Sequence, residues 1–193
     1  MFADLLRSKL AGIVELSVEQ VRALESHYEL LLRWNQVLNL TAIESMEEVV
    51  ERHYCESLFL AAHLPVNALT VADIGSGAGF PGIPVAVFRP DCSVTLVESH
   101  RRKAVFLREA TRKLPNIRVV PNRAEDLSEH FGCAISRAVS YEDLIPVLKN
   151  ITQSAHLLTG ADAPPQKMGF VWEEPIPLPW GRNRFLRRGV AES

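Results

Sequence analysis

Between residues 68 and 82 the chain reads Ala68-Leu-Thr-Val-Ala-Asp73, then Ile74-Gly75-Ser76-Gly77-Ala78-Gly79-Phe80-Pro81-Gly82. A short β-prone run that ends in clustered glycines and then meets a proline confines this stretch to a strand-turn-helix unit. Glycine tolerates positive φ, and proline fits the first turn of a helix. The same alternation continues downstream. Residues 93–98, 116–120 and 133–136 are predicted strands; residues 100–114, with Ala104, Leu107, Ala110 and Leu114 on one face, form a predicted helix, as do residues 142–148, and a short helix begins near Ala124. Strands alternating with helices give right-handed βαβ units and a parallel sheet covered on both faces. The expected fold is therefore α/β, a doubly wound and mostly parallel sheet. Toward the end, residues 170–172 and 184–186 are candidate closing strands and residues 161–166 a loop, while Pro175, Pro177 and Pro179 keep the intervening stretch irregular.

Helices precede the first strand. Ser17-Val-Glu-Gln20 has the form of a capping box, and Val21, Leu24, Tyr28, Leu31, Leu32 and Leu38 follow at helical spacing, which predicts a helix over residues 18–37. A second box, Ser45-Met-Glu-Glu48, opens a helical segment that runs to Leu64 and stops at Pro65. Residues 1–66 are thus expected to form a helical extension packed on a core domain of residues 67–193. With 193 residues, 47% hydrophobic and 23% charged, the chain has room for one such domain and the composition of a folded one. Asp4, Arg7, Lys9 and Glu15 interrupt the N-terminal apolar residues, and no apolar run approaches the roughly 20 residues of a membrane span, so a cytoplasmic protein is expected. Cys55, Cys92 and Cys133 lack any paired spacing; they are expected to be reduced and buried, with no metal site.

The glycine spacing narrows the ligand. A dinucleotide fingerprint would need glycine at position 80, which is Phe, and a phosphate loop would need Gly-Lys-Ser/Thr, which is absent. What remains is G-x-G-x-G preceded by an acidic residue, the form found in S-adenosylmethionine-dependent methyltransferases of the Rossmann-like class. That cofactor is a cationic sulfonium without a pyrophosphate, so it requires close backbone, here Gly75 and Gly77, and nearby carboxylates. Glu98 ends the next strand 23 residues after Gly75, where an acidic residue accepts ribose hydroxyls; the competing role is a charge at the N-terminus of the helix over residues 100–114. Arg123-Ala124-Glu125-Asp126 follows the third strand, where the chain borders an adenine, although the same residues also read as a plain helix start.

The segments DIGSGAGFPGIPVAV, VESHRRKAVFL, NRAEDL and ISRAV, with WNQVLNLTAI and ERHYCESL before them, resemble the RsmG family, also called glucose-inhibited division protein B, from about residue 31 to residue 139. The resemblance implies a Rossmann-like class I methyltransferase that uses S-adenosylmethionine to methylate N7 of a guanine in bacterial 16S rRNA, with that RNA or the small ribosomal subunit as partner. It also implies cofactor contacts at Gly75, Phe80, Ala124, Glu125 and Arg137. Two departures stand out: Cys55-Glu56 occupies a place where the family usually has a residue followed by Asp, and beyond Asn150 the tail is short, with a Pro-rich stretch to Pro179 that resembles the family little.

The motifs that are missing agree with N7 chemistry. After the fourth strand stands Ser136-Arg137-Ala138-Val139 rather than the Asn/Asp-Pro-Pro-aromatic motif of amine methylation, and no Pro-Cys nucleophile occurs. Guanine N7 carries a free lone pair and no proton, so it needs only in-line approach to the methyl donor; no catalytic acid, base or nucleophile is expected. Arg137 is expected to hold a carboxylate or phosphate bidentately. A methyltransferase of small molecules or proteins is the alternative, and a non-catalytic nucleotide-binding module a third reading.

Charge separates along the chain. Residues 1–100 hold six Lys and Arg against 13 Asp and Glu, whereas residues 101–193 hold 15 against ten. A basic second half suits a polyanion, and Arg123 and Arg184 are the expected substrate contacts, with Arg182, Arg187 and Arg188 near Trp180 and Phe185 as a candidate stacking groove. The helix with Arg101, Arg102, Lys103, Arg108 and Arg112 reads equally as an RNA face or a solvated back. His53, His63 and His156 lack ligand spacing and are expected in the core or on the surface. No obvious exposed apolar helix calls for a partner copy, so a monomer is expected.

Overall fold

The computed structural model describes residues 1–43, 45–165 and 169–192. Helix α1 spans Phe2–Leu10 and α2 spans Val18–Leu38. The Ser17 capping box forms as the sequence predicts: the Gln20 N–H donates to Ser17 Oγ at 3.2 Å and the Ser17 N–H to Gln20 Oε1 at 2.8 Å, satisfying two donors that a helix start leaves free. The second expected segment is a run of three pieces, α3 (Met46–Val49), a π-helical stretch (Val50–Cys55) and α4 (Glu56–Ala62). A π turn inserts an extra residue and rotates the side chains after it, a device concentrated at functional sites and invisible to a 3.6-residue pattern.

The sheet then forms from β1 (Thr70–Ile74), β2 (Ser93–Val97), β3 (Ile117–Val120), β4 (Cys133–Arg137), β5 (Ser154–Thr159), β6 (Phe170–Trp172), β7 (Ile176–Pro177) and β8 (Phe185–Ala191). Helices α5 (Gly82–Phe88), α6 (Arg101–Ala110) and α7 (Tyr141–Ile151) and a 3-10 turn at Ala124–Asp126 connect them. The order is β3-β2-β1-β4-β5-β8-β6, with β7 beside β8. Strands β1 to β5 pair in parallel and β8 runs antiparallel to its neighbours. The expected doubly wound sheet is therefore present. The sequence reading missed β5, a nearly continuous buried run without alternation, and it placed Arg184 in the last strand, which begins one residue later. A short strand, β7, also interrupts the proline-rich stretch, and residue 166 of the expected loop lies outside the described residues.

Strand β1 sorts its side chains by a period of two. Val71 joins a cluster that includes Phe2, Leu24, Tyr54, Leu58, Ile83 and Phe106, while Ala72 and Ile74 join Leu144, Leu148 and Leu157 beneath α7. The N-terminal helices thus share one apolar core with one face of the sheet. Each fully buried Leu or Phe in it contributes about 1.5–3 kcal/mol, which fixes the extension against the glycine turn. All three cysteines are free and buried. Among the described residues no helix is long and apolar enough to cross a membrane.

Candidate active site

Strand order reverses between β1 and β4, and at such a switch point the crevice beyond the strand C-termini receives ligands. Gly75, Gly77 and Gly79 take φ values of 72°, 55° and 88° there. The turn is tied to β2 because the Gly75 and Ser76 N–H groups donate to the Val97 carbonyl at 3.0 and 3.1 Å. A Cβ on Gly75 would stand 2.8 Å from Val139 Cγ2. Glu98 bridges two elements: Oε2 accepts from the Gly77 N–H at 2.9 Å and Oε1 from the His100 N–H at 2.7 Å. A carboxylate offers about four acceptor sites, so the group that anchors the turn and the start of α6 keeps capacity for a ligand. Glu98 lines a cavity of about 280 Å³ together with Gly75, Arg123, Ala124, Glu125 and Val139. Behind the turn, buried Asp73 accepts from the Gly82 N–H at 3.0 Å through Oδ2, while Oδ1 has no partner among the described residues. Burial pushes its carboxyl up to about 7, partly opposed by that N–H.

A second cavity of about 620 Å³ opens on the other side of Val139 and is lined by Arg52, His53, Arg137, Tyr141 and Arg184, among others. Arg137 donates from Nη1 to the Arg52 carbonyl at 2.7 Å and to His53 Nδ1 at 2.6 Å, and its guanidinium stands 5.3 Å from the Phe80 ring centroid. Burial lowers its pKa to about 10, which leaves it a cation at neutral pH. Arg184 is engaged differently: Nε and Nη2 donate to Glu56 Oε1 and Oε2 at 2.5 and 2.6 Å, and Glu56 is fully buried.

The family described as GidB: rRNA small subunit methyltransferase G matches residues 20–159. The chain belongs to this family. It is 42% identical over 138 residues to the ribosomal RNA small subunit methyltransferase G of Pelotomaculum thermopropionicum, covering 67% of this chain and 57% of that protein. It is 39% identical over 157 residues to the protein of the same name from Nitrosomonas europaea, covering 77% and 72%. Against the first of these and a similar relative from Desulforamulus reducens, the match spans little more than half of their length, 57% and 56%. Solved structures share the fold: a SAM dependent methyltransferase from Aquifex aeolicus has a TM-score of 0.57 at 14% identity, covering 75% of this chain and 92% of that one. Fibrillarin of Aeropyrum pernix, solved with S-adenosyl-L-methionine bound, has a TM-score of 0.56 at 12% identity, covering 70% and 73%.

The site residues expected from the sequence fall into two groups. Gly75, Glu98, Ala124, Glu125 and Arg123 gather around the smaller cavity, with Gly77 behind Glu98; Arg137 and Arg184 line the larger one, with Phe80 buried under Arg137. The two expected substrate contacts, Arg123 and Arg184, stand on different cavities. Of the candidate stacking groove, Arg187 stands 5.4 Å from the Phe185 ring centroid, and several members already have partners within the fold. Trp180 donates to the Lys9 carbonyl at 3.1 Å, Arg187 to Thr159 Oγ1 at 3.1 Å and the Ala161 carbonyl at 3.3 Å, and Arg188 pairs with Glu173.

Sequence reasoning missed what the N-terminal helices supply to this family site. His27 is buried, and burial lowers its pKa to about 4. Nε2 donates to the Ala78 carbonyl of the glycine turn and Nδ1 accepts from the Tyr54 hydroxyl, both at 3.0 Å. His53, read from sequence as core or surface, stands in the wall of the larger cavity. The available signal was its place within ERHYCESL, one of the segments that carry the family resemblance.

Proposed function

We propose that this chain binds S-adenosylmethionine in the smaller cavity and directs its methyl group to N7 of a guanine of 16S rRNA held in the larger one, acting as a monomer in the cytoplasm. The carrying observation is that Val139 walls both cavities, so a ligand in each would meet at the C-terminal end of β4. The residues fit the cofactor. The glycine turn leaves no side chain between backbone and ligand, Glu98 offers a carboxylate at the ribose position, and Ala124 and Glu125 border the base. When bound, the cofactor supplies an electrophilic methyl on a sulfonium.

The chain's own part is binding and alignment. Among the lining residues of the larger cavity the one histidine, His53, has both ring nitrogens engaged and so is no general base. N7 carries no proton to remove, so the reading asks for no base from His53 or from the carboxylates Glu142 and Asp162 in the same lining. Glu142 and Asp162 offer acceptors for the N1–H and amino edge of guanine, and the Tyr141 hydroxyl steadies that segment by donating to the Asp162 carbonyl at 3.0 Å. Arg137 supplies donors for an anionic group near the shared wall. Incubating the chain with methyl-labelled S-adenosylmethionine and small ribosomal subunits tests the reading. Label in one 7-methylguanine of 16S rRNA is expected; label confined to proteins or small molecules would transfer the assignment to the alternative substrate class.

A further inference from the structure

Arg137 ends β4, yet what holds its guanidinium comes from the N-terminal helices. Nη1 is the one Arg137 nitrogen with partners among the described residues, and both of its acceptors, the Arg52 carbonyl and His53 Nδ1, belong to the π-helical stretch. Nε and Nη2 remain available to a ligand, in contrast with Arg184, whose fork Glu56 fills. We propose that His53 is a positioning residue, locked by Thr41 and Asn35, that presets the Arg137 guanidinium in the wall of the larger cavity.

The hydrogen-bond inventory fixes the state of His53. A guanidinium only donates, so Nδ1 must carry the lone pair and Nε2 the proton. The Nε2–H then donates to Thr41 Oγ1 at 2.8 Å, an oxygen that also accepts from the Ile43 N–H at 3.1 Å. Asn35 clamps the Thr41 backbone from both sides: its Nδ2 donates to the Thr41 carbonyl at 3.0 Å and its Oδ1 accepts from the Thr41 N–H at 2.9 Å. The imidazole lies flat on Phe80, centroids 4.6 Å apart at 24°. His53 and Arg137 therefore rest on the same ring, that of the residue that follows the glycine turn. Protonation of His53 would remove the acceptor and set a cation against Arg137; burial first, then the Arg137 charge, hold the imidazole down to about 2 against an upward pull from the Arg52 carbonyl, with smaller downward contributions from His27 and Arg184. The relay also gives the segments WNQVLNLTAI and ERHYCESL a shared physical purpose, since Asn35, Thr41 and His53 all lie within them.

The inference rests on the proposed function for its activity readouts, and its spectroscopic readout stands apart from activity. Nitrogen-15 spectra of the wild-type imidazole should show a neutral Nε2–H tautomer from pH 5 to 8. A ring that titrates near its ordinary value, or a proton on Nδ1, overturns the proposal. His53→Phe keeps the stack on Phe80 and deletes the acceptor; kcat/KM for methyl transfer should fall about tenfold or more, as for loss of a charge-assisted hydrogen bond. His53→Asn, whose amide oxygen lies near the place of Nδ1, should recover most of that loss. In an Arg137→Ala background, His53→Phe should cost nothing further in kcat/KM or in calorimetric affinity for S-adenosylhomocysteine, because the two residues act as one unit. Additive losses that track Tm in both backgrounds would mean that His53 merely supports the fold. A wild-type chain that binds no S-adenosylmethionine and methylates no RNA would instead remove the functional reading and leave the tautomer to be judged on its own.

Discussion

The two cavities that share Val139 are built in opposite ways. The smaller draws mostly on short contiguous pieces, Ile74 and Gly75, Val97 to Ser99 and Asn122 to Glu125, each at the C-terminal end of a parallel strand, closed by Val139 and by Asp143 and Val147 of α7. The larger joins Arg52 and His53 from the π-helical stretch to Arg137 from β4 and to Arg184 from the segment before β8. A pocket made of strand ends is set by the sheet and tolerates change elsewhere. A pocket made of remote cations depends on every partner that neutralises or orients them.

The widest break in that contrast should come from Glu56→Ala. It strands Arg184, whose side chain is only 21% exposed, and removing one partner of a buried pair costs about 3 kcal/mol or more. Urea unfolding should register that loss, and S-adenosylmethionine affinity in the smaller cavity should change far less. A stability change near zero would mean that water screens the pair.

Gly75→Val strikes the other cavity. A β-branched residue at a φ of 72° carries backbone strain of about 1–3 kcal/mol, and its Cβ would meet Val139 at 2.8 Å. Calorimetry should show cofactor affinity reduced more than tenfold, about 1.4 kcal/mol. Unchanged binding would detach the glycine turn from the cofactor.

Acid stability sharpens the comparison through buried groups at the glycine turn and in β5. His27 and His156 are held down to about 4, mainly by burial, so the unfolded chain binds protons between pH 6.5 and 4 that the folded chain does not, and stability falls as pH drops. Asp73, raised to about 7, acts in the opposite sense: the folded state holds its proton more tightly, so its contribution grows as pH drops toward 4. Asp73→Asn removes that opposing contribution and should steepen the acid-induced decline in unfolding free energy between pH 7 and 4. A shallower decline would reverse the assignment of the buried proton.

The smallest expected effect is at Arg123, exposed at the rim of the smaller cavity. If it meets a phosphate, Arg123→Ala should lower the salt slope of RNA binding by about one unit and leave cofactor affinity nearly unchanged. Arg184→Ala should act mainly on stability, since its guanidinium already serves Glu56. Titrations across a salt series for both variants separate the two arginines.

The sequence by itself determined the parallel sheet, the capped helix α2, the strand-turn-helix unit at Gly75 and the acidic residue at Glu98. Each is written in neighbouring residues: hydrophobic period, capping side chains, and glycines where a side chain would collide. It did not determine the π-helical stretch, the strand β5, the pairing of Glu56 with Arg184 or the passage from Asn35 through Thr41 and His53 to Arg137. Those depend on partners 6 to 128 positions apart along the chain, brought together only when the N-terminal helices bury Leu24, Tyr54 and Leu58 in the same core as the sheet. Local pattern specifies what a segment becomes, whereas a buried polar group takes whichever partner packing delivers, because leaving it unpaired costs more than any local preference supplies.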